Sequence, residues 1–139
     1  MGIYIKKVEY VLYNELEIRE KVTEAKNKVA LSEIRNNSQM SDPTAAEAIR
    51  NLVPVKAILI DNQLLREPET WLEVIERTRE WCRRSGEKFY RIMRGKYCRE
   101  SVAAVCQELG ISGDNYRAAV EAIRNYAAMW AAWYHLVAF

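Results

Sequence analysis

The sequence predicts an all-α fold: a helical bundle with a C-terminal helix-turn-helix and a long terminal helix. Apolar residues recur at intervals of three and four in several segments, as at Trp71, Val74 and Ile75. No segment shows sustained alternation of apolar and polar residues, and no Asn-Gly hairpin turn occurs. These patterns favour helices along the whole chain and indicate no strand.

The N-terminal half is predicted to form helices with one clear break. Ile3–Arg35 carries a thin apolar stripe among charged residues, which is typical of one long helix or two abutting ones. Asn36–Pro43 is rich in turn formers and is followed by capping-box spacing. The next helix is expected to be kinked or restarted at Pro54 and to continue through Ile58–Leu65. Residues 1–84 are predicted to be a helical region available for dimerisation or partner binding.

Two further helices are expected before the C-terminal unit. Glu67-Pro68 begins an amphipathic helix that Arg83–Gly86 interrupts, and a short helix follows from Glu87 to Arg94. Trp71 and Trp81 lie on the apolar face of the first of these helices. We interpret both as core anchors, because large aromatic side chains dominate the burial of apolar area.

The stretch Arg99–Arg124 has the spacing of a helix-turn-helix. One helix ends at Leu109, and Gly110 can adopt the left-handed conformation that closes a helix. Ser112 can then cap the next helix through its hydroxyl oxygen. Residues 85–139 are therefore predicted to be a DNA-binding region with an extended C-terminal helix, whose opposite face would meet a DNA groove.

Positive charge is concentrated beside this corner. Arg83–Arg99 contains seven basic residues and one acidic residue, whereas the formal net charge of the chain is only +2. A local cluster suits phosphate contact better than uniform solvation. The helix that follows Ser112 carries fewer basic residues than this cluster, and Asp114 at its start would repel a nearby phosphate. We interpret Asp114 as a capping residue.

Composition argues against metal, membrane and enzyme functions. Cys82, Cys98 and Cys106 have no paired spacing and His135 is the single histidine, so no metal or other cofactor is expected. Unpaired cysteines without a signal peptide predict reduced thiols in a cytoplasm. The apolar tail after Asn125 is too short for a membrane span. Because the sequence has no Walker loop and no Gly-x-Ser-x-Gly motif, we expect no enzyme.

The C-terminal helix carries an apolar heptad seam that must be covered. Either the N-terminal helix of the same chain or an equivalent helix of a second chain could cover it. A homodimer would also hold two recognition helices at a fixed spacing on DNA. The residues that would form the dimer contact are Tyr116, Val120, Ile123, Trp130 and Tyr134.

Three segments resemble the phage-encoded transcriptional activators of the RinA/ArpU type, whose C-terminal part is similar to the promoter-binding helix-turn-helix of bacterial sigma factors. Ser41–Arg50 is similar to the Ser-Asp-Pro-Thr segment that opens the central helix of the family. Ser85–Lys96 is similar to the short helix and glycine turn before its DNA-binding unit, and Leu109–Ser112 to the corner itself.

The resemblance implies a transcriptional regulator of viral or prophage genes that binds double-stranded promoter DNA and contacts RNA polymerase. Ser112, Asn115 and Arg117 are predicted to face base edges. The residues predicted to hold phosphates are Arg91, Arg94, Lys96, Arg99 and Arg124.

Two alternative functions remain open at this level. A phage DNA-packaging subunit of the small-terminase type also combines a small helical DNA-binding unit with an oligomerising helix, and it would form a ring in solution. A protein-interaction module would use the aromatic terminal helix as its working surface and would not bind DNA.

Overall fold

The computed structural model describes residues 3–36 and 54–137 of the 139-residue chain. Within these ranges the chain is mostly helical, as predicted, with six helices and one two-stranded sheet. The helix predicted to follow Pro43 lies outside the described residues. The elements are α1 Ile3–Tyr13, α2 Glu15–Asn36, β1 Ala57–Ile60, β2 Gln63–Arg66, α3 Pro68–Ser85, α4 Glu87–Tyr97, α5 Val102–Leu109 and α6 Gly113–Trp133.

The chain divides into two compact units. The first comprises Met1–Glu15 and Glu73–Phe139, and the second comprises Leu16–Leu72. The first unit therefore contains α1 and the whole segment from α4 to α6. The assignment of different roles to residues 1–84 and 85–139 stays a prediction.

An antiparallel hairpin of β1 and β2 replaces the helix predicted over Ile58–Leu65, so the prediction of a chain without strands was wrong. Asp61 and Asn62 form its two-residue turn, with φ angles of 50° and 62°. A type I′ turn requires positive φ at both central residues, and Asp and Asn tolerate that conformation better than most residues. The Asp-Asn pair therefore replaces the Asn-Gly signal that the sequence lacks.

The sequence of the hairpin does not alternate between apolar and polar residues, because both of its faces carry aliphatic side chains. Ile58 pairs with Leu65, and both side chains are buried. Leu59 pairs with Leu64, and these side chains are 61% and 54% exposed. Burial alternates along the strands while polarity does not, so the period of two is invisible in the sequence.

In the second unit, Glu69 joins the start of α3 to the segment before the hairpin and to α2. Its carboxylate accepts a hydrogen bond of 2.9 Å from the backbone N–H of Val55 and forms an ion pair with Lys26. Trp71, two residues further along α3, is only 1% exposed. The prediction that Trp71 is a core anchor is confirmed.

In the first unit, α6 is the central helix, and the N-terminal part of the predicted seam is buried within the chain. Tyr116, Val120 and Ile123 are 3%, 6% and 0% exposed. Both α1 and α4 contact this helix. The chain itself therefore covers these three residues, and they are not available for the homodimer contact assigned to them.

The last two residues of the predicted dimer contact, Trp130 and Tyr134, are half-buried beside α3. The Arg77 guanidinium carbon lies 4.3 Å from the centroid of the Trp130 ring, and Arg77 Nε donates a 2.8 Å hydrogen bond to the Tyr134 hydroxyl. That hydroxyl donates to Glu73 at 2.8 Å. These two residues are also engaged within the chain, and homodimerisation stays a prediction that needs other contacts.

Trp81 connects three helices of the first unit through its ring. It stacks on Tyr126 of α6 with the ring centroids 4.4 Å apart, and it meets Phe89 of α4 edge-on at 5.5 Å. Such aromatic pairs are worth about 0.5–1.5 kcal/mol beyond their buried area. The ring is used for packing, as predicted for a core anchor, rather than for stacking on a base.

Candidate nucleic-acid interface

The corner between α5 and α6 has the local geometry that its sequence predicts. Gly110 ends α5 in the left-handed conformation with φ 65° and ψ 39°. The Ile111 N–H donates to the Cys106 carbonyl at 3.1 Å, which is the long hydrogen bond of a Schellman motif. The Ser112 hydroxyl oxygen then accepts a 3.1 Å hydrogen bond from the Asn115 N–H. The predicted caps at Gly110 and Ser112 are confirmed, whereas the capping role given to Asp114 was wrong: its carboxylate pairs with Arg117 instead.

Helices α4 and α5 cross in close contact at Gly95 and Val105. A Cβ atom added to the buried Gly95 would lie 2.8 Å from Cγ2 of Val105, a distance that real Cβ contacts essentially never show. Cys106, the residue after Val105 on α5, is half-buried, with its Sγ 3.9 Å from the Ser112 carbonyl oxygen.

Replacing Gly95 with alanine is expected to destabilise the protein by about 1 kcal/mol net, because overpacking costs about 1–3 kcal/mol while leaving a helical glycine gains about 1 kcal/mol. Gly113→Ala is the matched control, since a Cβ at that helical glycine would have no atom within 4 Å. Urea unfolding of the two variants measures the difference. Equal stability of both variants would contradict the close crossing.

The side chains that follow Ser112 lie on the surface of the unit. Asn115 and Arg117 are exposed, and 78% of the Arg117 side chain is accessible. Arg117 forms an ion pair with Asp114, three residues earlier at the start of α6. The hydroxyl oxygen of Ser112 accepts the capping hydrogen bond. Of the three side chains predicted to face bases, those of Asn115 and Arg117 therefore extend into solvent without a capping role.

A lysine lies on each side of the start of α6. Lys96 of α4 lines a cleft of about 540 Å³ together with Gly113 and Arg117. Lys88, at the start of α4, lines a second cleft of about 520 Å³ together with Asn115. Lys88 belongs to the cationic cluster recognised in the sequence, but no sequence pattern indicates that it shares a cleft with Asn115.

Two of the predicted phosphate-binding cations rest on one aromatic ring. The Lys96 Nζ lies 5.3 Å and the Arg99 guanidinium carbon 4.5 Å from the centroid of the Tyr13 ring. Tyr13 ends α1 and meets Tyr97 edge-on at 5.0 Å. Cation–π attraction holds both charges at one end of α4. No local pattern in the sequence linked Tyr13 to this cluster.

Arg94 is the third predicted phosphate contact that remains accessible. It is exposed on α4, and no carboxylate of residues 4–28 or 54–137, whose side chains the structure describes, lies within ion-pair distance of it. Arg94, Lys96 and Arg99 thus share the C-terminal part of α4 and the turn after it.

Arg91 and Arg124 are already engaged with carboxylates inside the unit. Arg91 binds Glu100 and Glu108, and only 15% of its side chain is exposed. Arg124 pairs with Glu9 of α1 at 3.3 Å, and 22% of its side chain is exposed. The structure therefore favours packing roles for these two arginines over the phosphate contacts predicted for them.

The ionisation of the Arg91 cluster is fixed by its own hydrogen bonds. Hydrogen bonds to Glu108 and then Glu100 raise the pKa of Arg91, and the bond from Arg91 lowers the pKa of Glu100. Arg91 and Glu100 are consequently charged around neutral pH. Because its guanidinium is paired with two carboxylates, Arg91 contributes little positive potential of its own.

The chain matches no protein-family model, no curated protein and no solved structure. Within the described ranges, no group of three or more His, Cys, Asp or Glu side chains could hold a metal ion. Over the same residues, no helix has the length and apolar character needed to span a bilayer.

The three cysteines form no disulfide in this structure, and one of them is deeply buried. Burial raises the pKa of the Cys82 thiol to about 11, although the charge of Arg79 opposes the shift. A thiol with that pKa is protonated at neutral pH and is a poor nucleophile. Cys82 therefore behaves as a small apolar residue in the core.

Proposed function

We propose that this chain is a DNA-binding transcriptional regulator of phage or prophage origin that recognises double-stranded promoter DNA through a helix-turn-helix formed by α5 and α6. The observation that carries the proposal is the exposed first turn of α6 between two lysines. Asn115 and Arg117 are accessible there, with Lys88 and Lys96 in the flanking clefts. That arrangement suits a helix that enters a groove between two phosphate backbones.

Base recognition is assigned to Asn115 and Arg117. An arginine can donate two hydrogen bonds to guanine O6 and N7, and an asparagine can pair with adenine N6 and N7 in the major groove. Phosphate contacts are assigned to Arg94, Lys96 and Arg99. Two of these cations are held on the Tyr13 ring, so fewer side-chain rotamers are lost on binding.

Asp114 is expected to limit non-specific affinity. Its carboxylate stands in the first turn of α6 and pairs with Arg117 in the DNA-free protein. DNA must break this pair before Arg117 contacts a base, and the carboxylate repels nearby phosphates. A correct base compensates for the lost pair, whereas an incorrect base does not.

The similarity to RinA/ArpU-type activators and the contact with RNA polymerase form part of the same proposal. They rest on the three sequence segments named above and on the corner geometry. A regulator of this kind would act in the cytoplasm, where promoter DNA and RNA polymerase meet.

The experiment is a salt titration of binding to a mixed-sequence duplex, followed by fluorescence anisotropy. Arg94, Lys96 and Arg99, together with Lys88 on the other side of α6, predict that log K falls with log salt concentration with a slope of about −3 to −4. Replacing Arg94, Lys96 and Arg99 together with glutamine should leave a slope of about −1. The control replaces Lys6 and Lys7, two exposed lysines at the opposite end of α1 from Tyr13, and should leave most of the slope. Identical slopes for both variants would contradict the proposed interface.

A second candidate function, a protein-interaction module, is favoured by the far end of α6. Met129 and Trp133 are 50% and 72% exposed there and line a shallow apolar cleft with Trp130. Exposed aromatic and methionine side chains are enriched in protein interfaces. A folded protein that binds no DNA even at low salt would support this candidate over the regulator.

A further inference from the structure

We propose that Arg91 is a positioning residue that fixes the helix-turn-helix on α4 and does not itself contact DNA. This inference rests on the proposed function. Arg91 would act by holding α5 at both ends, so that the start of α6 is presented at a fixed distance from the cations of α4.

The contacts of Arg91 are those of a double clamp. Its Nε donates to Glu108 Oε2 at 2.6 Å, and its Nη2 reaches Glu108 Oε1 at 3.3 Å. Its Nη1 and Nη2 donate to the two Glu100 oxygens at 3.0 Å and 2.8 Å. The guanidinium fork thus binds two carboxylates in bidentate fashion, a geometry that a lysine cannot reproduce.

The two carboxylates come from opposite ends of one short helix. Glu100 precedes Ser101, whose hydroxyl oxygen caps α5 by accepting from the Ala104 N–H at 3.3 Å. Glu108 lies in the last turn of α5, two residues before Gly110. Arg91, a single residue of α4, therefore contacts both the residue before the N-cap of α5 and the last turn of α5.

External contacts matter for α5 because it has only eight residues. A helix of that length is marginal in water without tertiary contacts. Its only buried residue is Val105, which packs against Gly95 one turn beyond Arg91 on α4. Arg91 at the two ends and Gly95 in the middle together define where α5 lies and where α6 begins.

The environment of Arg91 is poorly suited to a phosphate contact. A phosphate would have to displace two carboxylates that already use its Nε, Nη1 and Nη2 atoms. The displaced Glu100 and Glu108 would then lie unpaired beside a polyanion, which weakens binding. A phosphate contact by Arg91 would therefore break its ion pairs and also leave two unpaired carboxylates near the DNA.

The test compares Arg91→Lys and a Glu100→Gln, Glu108→Gln double variant with the wild-type chain in DNA binding. Lysine keeps the charge and would serve as a phosphate contact, but it cannot clamp two carboxylates. We expect Arg91→Lys to weaken DNA binding by roughly threefold to thirtyfold, with the salt slope unchanged. The double variant should also weaken binding, although it removes two negative charges from a protein that binds a polyanion.

Glu121→Gln is the control for the removal of a carboxylate, because Glu121 is exposed on α6 and lines the cleft with Lys96. Removing that carboxylate should strengthen DNA binding. An Arg91→Lys variant that binds like the wild type, or a double variant that binds more tightly, overturns the positioning role and leaves the proposed function standing.

Hydrogen exchange of the DNA-free protein separates failure of this inference from failure of the proposed function. The clamp predicts faster amide exchange in Arg91→Lys over Val102–Leu109, while α1 and the buried centre of α6 exchange as in the wild type. Unchanged exchange in α5 overturns the clamp whether or not DNA binds. Absence of DNA binding by the wild-type chain contradicts the proposed function and, with it, any role of Arg91 in DNA recognition.

Discussion

Replacing Ile123 with alanine is expected to lower the free energy of unfolding by about 2–5 kcal/mol. Ile123 is 0% exposed in the middle of α6, so the substitution leaves a cavity that the surrounding helices fill only in part. Thermal and urea unfolding measure the loss. Because the residue packs inside one chain, the loss should be the same at low and high protein concentration.

The matched control is Glu121→Ala, two residues earlier on the exposed side of α6. An exposed residue away from special features changes stability by only about 0.5 kcal/mol in either direction. A seam that instead formed a dimer contact would give a loss for Ile123→Ala that depends on protein concentration. That dependence would contradict the burial of α6 within its own unit.

Replacing Arg117 with alanine is expected to make the free energy of binding to the preferred DNA site less favourable by about 1–3 kcal/mol and to relax specificity at one base pair. The exposed guanidinium of Arg117 is free to reach a guanine once its pair with Asp114 is broken. Selection of bound duplexes from a random pool, followed by affinity measurement, gives both quantities. Asp114→Asn should act in the opposite direction and strengthen binding to mixed-sequence DNA.

Lys96→Ala is the control for base specificity. A lost phosphate contact weakens all sequences alike and reduces the magnitude of the salt slope by about 1. The base preference of the Lys96 variant should therefore match that of the wild type. An Arg117→Ala variant that keeps its base preference, while losing affinity for all sequences, would assign Arg117 to the phosphate backbone instead.

The parts of this structure that could be predicted from the sequence are those that depend on neighbouring residues. Gly110 and Ser112 determine the end of one helix and the start of the next through their own backbone and hydroxyl chemistry. The amphipathic spacing around Trp71 likewise indicates which side of α3 is buried. These signals are local, so a single sequence contains them.

The β hairpin could not be predicted from the same kind of pattern. Its exposed face carries Leu59 and Leu64 where a polar residue would have shown the period of two. Its turn uses Asp61 and Asn62 in the left-handed region without a glycine. Each departure removes one of the two signals on which strand prediction depends.

The roles of the arginines depend on contacts between distant segments. Arg91 lies 9 residues from Glu100 and 17 from Glu108, and Arg124 lies 115 residues from Glu9. The resemblance implies phosphate contacts for both arginines, and the sequence does not show their acidic partners because Glu100, Glu108 and Glu9 lie outside the helices that carry the arginines. Tertiary packing decides which cations of a cluster remain available to a ligand.

The most direct test of the proposed interface is an NMR titration of the labelled chain with duplex DNA at low salt. DNA binding by the start of α6 and the cations of α4 predicts that amide shifts change over Gly113–Arg117 and Arg94–Arg99, and that high salt reverses the changes. Amides near Met129 and Trp133 should keep their positions. Shift changes confined to that aromatic end, or no change at any amide, would contradict DNA binding by the start of α6.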